Sequence, residues 1–342
     1  MTQVLLTGAS GFVGSHVLRH IMANTDWTVI CPVTFHHRGN SDRIRLALED
    51  HPEWRQRVWV HLHDLTGPVS RISAEAWRGV THVINCASES HVDRSITEPA
   101  PFIINNVRLV TELLEWARHH DQLETFIQFS TDEVYGPAPY GEAHRPWDDD
   151  HRPSNPYSAS KAAQEDIAFA YWRTYGVPLI ITNTMNIVGE TQDTEKFVPK
   201  TLRALLADET VQLHGDPSTG GTGSRFYLHA RNAADGVLWA MEQGVHTHDA
   251  GHLVPRRWHI VGEHEVTNYD MMWKLVGLLR EMHTWIDPRY EIVDFHSSRP
   301  GHDLRYALDA SLTEKAGWRP PISFDESLRR TVRWTLAHPE WL

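Results

Sequence analysis

Cysteine is nearly absent: Cys31 and Cys86 are the only two in 342 residues. Two thiols, each inside an apolar strand-like run, give neither a disulfide framework nor a cysteine metal site. They fit a reduced, cytoplasmic setting. No apolar run approaches the roughly 20 residues that span a bilayer. The start, Met1-Thr2-Gln3-Val4-Leu5-Leu6, lacks the basic and long apolar stretches of a secretory leader, so no membrane association is expected. Positive charge is in deficit, with 32 Lys and Arg against 44 Asp and Glu and a net charge of −12. That excludes general nucleic-acid binding but not a local basic pocket. The 24 histidines are scattered without His-Glu-x-x-His or comparable spacing, so no metal site is expected. No repeat, low-complexity tract or linker divides the chain.

What is present reads as an ordinary globular protein of one or two domains, 41% hydrophobic and 22% charged. Apolar runs at Val4–Thr7, Thr28–Val33, Val58–Leu62, His82–Cys86, Phe126–Ser130 and Leu179–Asn183 predict strands. Helical patterns at Ser15–Ala23, Pro101–His119 and Ala159–Tyr175 lie between them. This alternation predicts an α/β fold, a doubly wound parallel sheet whose ligands bind beyond the carboxyl ends of the strands. Residues 1–183 form the dinucleotide-binding unit, with some later segments returning to it. Residues 184–342 form mainly a smaller, discontinuous substrate-binding lobe. In that half Thr194–Ala207, Asn268–Met282 and Phe324–Leu336 predict helices, Glu291–Phe295 a strand, and Gly215–Gly223 an exposed loop.

Gly8, Gly11 and Gly14, with Phe12 and Val13 between them, follow a predicted strand and open a predicted helix. In that context the glycines let the backbone approach a pyrophosphate, whose charge the helix N-terminus stabilises. Asp64, with Leu65 beside it, follows the third strand and is placed to bond an adenine amine. Ala87, after the fourth strand, is assigned to the same site. The second strand ends without the carboxylate that usually bonds the ribose of NAD. Thr34, His37 and Arg38 stand there instead. They suit a 2′-phosphate, which leans the reading toward NADP, while NAD held by other contacts stays open.

Tyr157 and Lys161 are four apart in a predicted helix and share a face. A free phenol has a pKa of about 10, and a neighbouring ammonium favours its ionised form. Thr131 at the end of the fifth strand is placed to align a sugar hydroxyl with that phenol. Asp132 and Glu133 follow it as an adjacent acid–base pair.

The glycine turn, the Tyr-x-x-x-Lys pair and the upstream threonine resemble the extended short-chain dehydrogenase/reductase superfamily, with its Rossmann-type fold. Within it the chain is most similar to the nucleotide-sugar 4,6-dehydratases, and among these to the dTDP-glucose enzymes. The residues carrying this are Ala87 to Ile96, Ser130 to Gly136, Asn155 to Lys161, Arg299 to Tyr306 and the tail from Gly317 to Trp341. The resemblance implies C4 oxidation of a nucleotide-diphosphate sugar, with Tyr157 taking the hydroxyl proton and Lys161 tying the base to the cofactor ribose. Glu133 then removes the C5 proton, Asp132 protonates the departing C6 hydroxyl, and a hydride returns to C6. A tightly held NAD or NADP is regenerated in each cycle. The resemblance further assigns Ser90, His91, Asn186, Lys196, Arg225, Arg299 and Asp303 to substrate binding. It also implies a homodimer formed partly through Pro101–His119. The chain departs from the family where Arg225-Phe226-Tyr227 replaces Arg-Asp-Trp and Asn186-Ile187-Val188-Gly189 replaces Asn-Asn-Tyr-Gly. The base and sugar of the substrate therefore stay open. A C4 epimerase, or a non-catalytic nucleotide-binding protein on the same fold, is the rival reading.

Overall fold

In the computed structural model of the chain, residues 2–35, 39–147, 150–249, 251–282, 285–295 and 303–342 are described. Six parallel strands form the heart of the molecule: β1 (Gln3–Thr7), β2 (Thr28–Val33), β3 (Val58–Leu62), β4 (His82–Asn85), β5 (Thr125–Thr131) and β6 (Leu179–Thr184). Val4, Leu5 and Leu6 are successive and all fully buried, as a strand covered on both faces requires. The order is β3-β2-β1-β4-β5-β6, and the chain reverses direction of growth between β1 and β4. A crevice opens at that reversal beyond the strand ends. At the β3 edge Trp59, Val60 and Leu62 stand exposed.

The sheet does not end at β6. His252–Ile260 pairs parallel to β6, with Arg256 opposite Ile180 and Ile260 opposite Thr184, and His246–Asp249 closes the sheet antiparallel to it. His252–Ile260 carries a proline, two arginines and two histidines, a composition that hides a strand from pattern reading. Pairing and burial on the sheet hold it there rather than intrinsic preference.

Helices α1 (Phe12–Asn24), α2 (Ser41–Leu48), α3 (Arg71–Ala76), α4 (Val92–Thr97), α5 (Pro99–Ala117) and α6 (Pro156–Tyr175) follow the strands. One face of the sheet is covered by α1 and, far along the chain, by Ala230–Glu242, where Val17, Leu18 and Ile21 meet Ala233 and Val237. On the other face α5 and α6 enclose Leu113, Leu114, Trp172 and Trp77. Each such side chain contributes roughly 1.5–3 kcal/mol on burial. Helix α6 begins at a capping box, in which the Asn155 side chain accepts from Ser158 N and the Ser158 hydroxyl from Asn155 N. Pro156 occupies its first turn, so Tyr157 is fixed at the helix entry. No helix among the described residues is long and apolar enough to cross a membrane.

A separate core packs α7 (Phe197–Leu206) and the helices Asn268–Glu281 and Phe324–Ala337 around the strand Val211–Asp216, through Leu202, Leu213, Met271, Leu275 and Leu328. The glycine-rich stretch expected as a loop is a tight hairpin. Val211–Asp216 pairs antiparallel with Gly221–Thr222, and a Cβ on Gly215 would lie 2.1 Å from the Gly221 carbonyl oxygen.

Candidate active site

A cleft of about 1150 Å³ runs from the glycine turn, past the ends of β4 and β5, to α7 and the hairpin. At its first end Gly8, Gly11, Phe12, Val13 and Gly14 line the wall. Gly11 N donates to Gly8 O at 2.8 Å, and a Cβ on Gly14 would meet that same oxygen at 2.1 Å. The turn therefore closes only on glycine. Gly11 caps α1 without any side-chain hydrogen bond, so the first-turn N–H groups face the cleft uncapped, as an anion site requires. This cradle fits a dinucleotide pyrophosphate. Thr34, Asp64, Leu65 and Ala87 also line this end. Arg38 lies outside the described residues. A cation that the sequence reading overlooked, Arg43, is buried here, and it is held by Asp193 Oδ1 at 2.9 Å and Thr191 O at 3.1 Å.

At the centre Thr131, Asp132, Glu133, Tyr157 and Lys161 all face the same cleft. Thr131 caps a short 3-10 helix, Asp132–Tyr135, and its hydroxyl donates to Asp132 Oδ1 at 2.8 Å. Asp132 is buried, and among the described residues its Oδ2 has no hydrogen-bond partner. Burial first, and the Glu133 charge second, push its pKa up to about 7. Glu133 is half-buried and takes a hydrogen bond from Asn155 Nδ2 at 3.3 Å.

Tyr157 and Lys161 do share a face of α6, but the expected effect of the lysine on the phenol is not seen. Lys161 Nζ donates to Phe129 O at 2.8 Å and Gln164 Oε1 at 2.7 Å. Burial pulls its pKa down to about 8, against the opposing charge of Glu165. The Tyr157 phenol is pushed well above its ordinary value by burial, then by Glu133 and Asp132, and only a hydrogen bond with Thr131 acts the other way. Helical spacing gives the shared face but not the burial, and here burial dominates.

At the far end Ser90, His91, Asn186, Lys196 and Arg225 line the cleft. Lys196 Nζ donates to Ser90 O at 3.2 Å, and His91 Nε2 lies 2.7 Å from Glu195. Arg225 is anchored on backbone oxygens of Ser224, Leu304 and Asp303 and stacks 4.7 Å over the ring of Tyr306. Asp303 does not line the cleft; its carboxylate accepts from Ser154 Oγ at 2.7 Å. Arg299 lies outside the described residues. Sequence reasoning missed Tyr306, Lys200 and Arg203, which also line the cleft. Lys196, Lys200 and Arg203 recur at helical spacing, a basic stripe in a chain of net charge −12. That spacing was the available signal.

A doubly wound sheet, a glycine cradle at its switch point and a tyrosine–lysine helix beside it are the features of a dinucleotide-binding enzyme fold. The model of the NAD dependent epimerase/dehydratase family matches residues 4–253, and the chain belongs to that family. It is 33% identical to dTDP-glucose 4,6-dehydratase 1 of Escherichia coli over 99% of this chain and 94% of that one. The crystal structure of DesIV, a dTDP-glucose 4,6-dehydratase from Streptomyces venezuelae with NAD bound, superposes with a TM-score of 0.83 at 31% identity, covering 99% and 98% of the two chains. UDP-glucose 4-epimerase of Thermus thermophilus, also solved with NAD, has a TM-score of 0.80 at 23% identity, over 97% and 98%, a likeness of fold alone. The lean toward NADP finds no support. NAD is the dinucleotide named for the family and for both structures, and Arg43, the cation found at that end, is already held by Asp193 and Thr191.

Proposed function

We propose that the chain is a nucleotide-sugar 4,6-dehydratase that holds NAD and converts an NDP-hexose to its 4-keto-6-deoxy form, with dTDP-glucose as the first substrate to test. One observation carries this: two adjacent carboxyls beside Tyr157, one of which, Asp132, keeps its proton up to about pH 7. An elimination needs a proton donor and a proton acceptor at neighbouring carbons, and a simple epimerisation needs neither.

Gly8, Gly11 and Gly14 with the α1 N-terminus hold the pyrophosphate, Asp64 and Leu65 the adenine, and Lys161 the nicotinamide ribose. When bound, NAD would supply the hydride acceptor and donor that the reaction needs, and its positive charge would favour the phenolate that burial opposes. Tyr157 takes the C4 hydroxyl proton, with Thr131 aligning that hydroxyl. The resulting ketone acidifies C5, and Glu133 removes the C5 proton. Asp132 donates its proton to the leaving C6 hydroxyl as water departs, and Glu133 then reprotonates C5. Lys196, Lys200, Arg203 and Arg225 grip the diphosphate, and the packing of Arg225 on Tyr306 keeps its guanidinium flat against the cleft wall. Asp303, through Ser154, acts from behind that wall. Residues 1–183 serve mainly the dinucleotide and residues 184–342 mainly the sugar nucleotide. A homodimer through α5 belongs to the same reading, supported by Ile103 and Ile104, which stand exposed on that helix.

Incubation with a panel of dTDP-, UDP-, CDP- and GDP-hexoses tests the proposal, reading loss of one water by mass together with the dinucleotide released on denaturation. The expected result is a dehydrated 4-keto product from one of them. Glu133→Gln should abolish it while still reducing bound NAD. A 4-epimer of unchanged mass, insensitive to Glu133→Gln, would overturn the proposal.

A further inference from the structure

The segment carrying Asp132 and Glu133 is tied at both ends to a single carboxylate outside the cleft. Glu165 lies on α6, four residues beyond Lys161 and eight beyond Tyr157, so the three share one stripe of the helix. Its side chain is fully buried. Oε1 accepts from Asn183 Nδ2 at 2.7 Å, and the same nitrogen donates to Thr131 O at 3.0 Å. Oε2 meets Arg257 Nη1 at 2.7 Å and His151 Nε2 at 3.2 Å. Arg257 Nη1 also donates to the Tyr135 hydroxyl at 2.8 Å, which meets His259 Nε2 at 3.0 Å, and the guanidinium stacks 4.2 Å from Trp147. Thr131 and Tyr135 are the residues on either side of Asp132-Glu133-Val134. Glu165 thus reaches both ends of the turn, through Asn183 on one side and Arg257 on the other.

A buried ion pair is a poor source of net stability, because desolvation offsets its attraction. It supplies direction instead. A 3-10 turn of four residues has few hydrogen bonds of its own, so the aim of its side chains depends on what holds its ends. The backbone of Tyr157 is held by the Asn155 capping box and by its own N–H, which donates to Ser95 Oγ at 3.2 Å, neither of which involves Glu165.

We infer that Glu165, acting through Asn183 and Arg257, is a positioning residue that registers the Asp132-Glu133 turn against the Tyr157 face of α6. Elimination then depends on it far more than C4 oxidation does. This rests on the dehydratase reading above.

The test uses the full-length enzyme with bound NAD and dTDP-glucose, or whichever panel sugar is turned over. Asn183→Leu removes the tie to Thr131 O but keeps the Glu165 charge, and with it the field that Glu165 exerts on Lys161. A misplacement of about 1 Å costs about 10²-fold, so Asn183→Leu should slow water loss by roughly 10–100-fold with KM little changed. Single-turnover reduction of NAD should stay within about threefold, so that the reduced cofactor accumulates and is read by its absorbance. Glu165→Gln with Arg257→Met removes both buried charges. It should keep the wild-type melting temperature or exceed it, yet still lose elimination; because it also removes the field on Lys161, Asn183→Ala, which cuts the same tie and leaves that field, carries the test if Asn183→Leu fails to fold. Equal loss of reduction and elimination, or wild-type elimination in the double variant, would show a merely structural network and overturn the inference. Absence of any dehydrated product from the wild-type enzyme would instead sink the dehydratase reading itself.

Discussion

Asp132→Asn should make the protein more stable at neutral pH while destroying its activity. In the folded chain the Asp132 carboxyl keeps its proton up to about pH 7, against an ordinary value of 3.8. Between those values the folded state binds one proton more than the unfolded state, so stability falls as pH rises. The stabilising side of this balance is fully present below about pH 3.8 and is lost as pH climbs through 7. At 1.36 kcal/mol per unit, the gap amounts to roughly 4 kcal/mol. Asparagine has nearly the same shape and no such proton. Urea unfolding of both proteins from about pH 4.5 to 8 reads the effect as the difference between their stabilities. The stability difference should move in favour of the variant as pH rises, by most of those roughly 4 kcal/mol. Turnover should fall by about 10²–10⁴-fold, the usual size of a general-acid contribution. Wild-type turnover should itself decline above about pH 7 as Asp132 ionises. Stability curves that run parallel across this range would refute the idea that burial holds the proton on Asp132.

Other outcomes follow from the same geometry. Gly14→Ala forces a Cβ to within 2.1 Å of the Gly8 carbonyl, so the purified variant should release far less than one dinucleotide per chain on denaturation. Trp77→Ala empties a fully buried site under α3 and should cost about 3–5 kcal/mol in urea unfolding, with turnover per folded molecule unchanged. Lys200→Ala and Arg203→Ala each remove a cation from the cleft wall and should raise KM with little change in kcat, the mark of lost uniform binding.

Much of this was legible in the chain because the signals are local. The buried strands announce themselves as short apolar runs, and the glycine turn lies between a strand and a helix where its spacing has meaning. Asp132 and Glu133 are adjacent, so no folding step was needed to bring them together. What escaped depends on distant partners. His252–Ile260 is a strand because β6 stands beside it, and its own residues argue otherwise. Gly215 is required by the opposite arm of a hairpin six residues on. Tyr306 gains a role only when Arg225, 81 positions earlier, lies against its ring. The lysine–phenol reading misjudged the balance for the same reason: four-residue spacing gives proximity along a helix, while the protonation state follows from burial, which no spacing encodes.

The fold is shared with a 4-epimerase, so it does not by itself decide the reaction. The turn after β5 does more. A 3-10 helix has about three residues per turn, so consecutive side chains leave it in widely different directions. Asp132 is therefore buried in the cleft wall while Glu133, half-buried, reaches Asn155, although the two are adjacent in the chain and line one cleft. Had both faced solvent, both would be ionised at neutral pH and no proton donor would remain for the leaving hydroxyl. Had both been buried, neither would act as a base. Divergence of neighbours on a tight turn turns one acidic dipeptide into an acid and a base. The carboxylate of Glu133 helps Asp132 keep its proton, and Glu133→Gln should lower the pKa of Asp132 as well as remove the base. The high-pH limb of C4 oxidation, which Glu133→Gln retains, gives no access to that shift. Backbone-detected titration of the Asp132 carboxyl in the isotopically labelled variant does, and an Asp132 pKa unmoved from about 7 would mean that burial alone sets it.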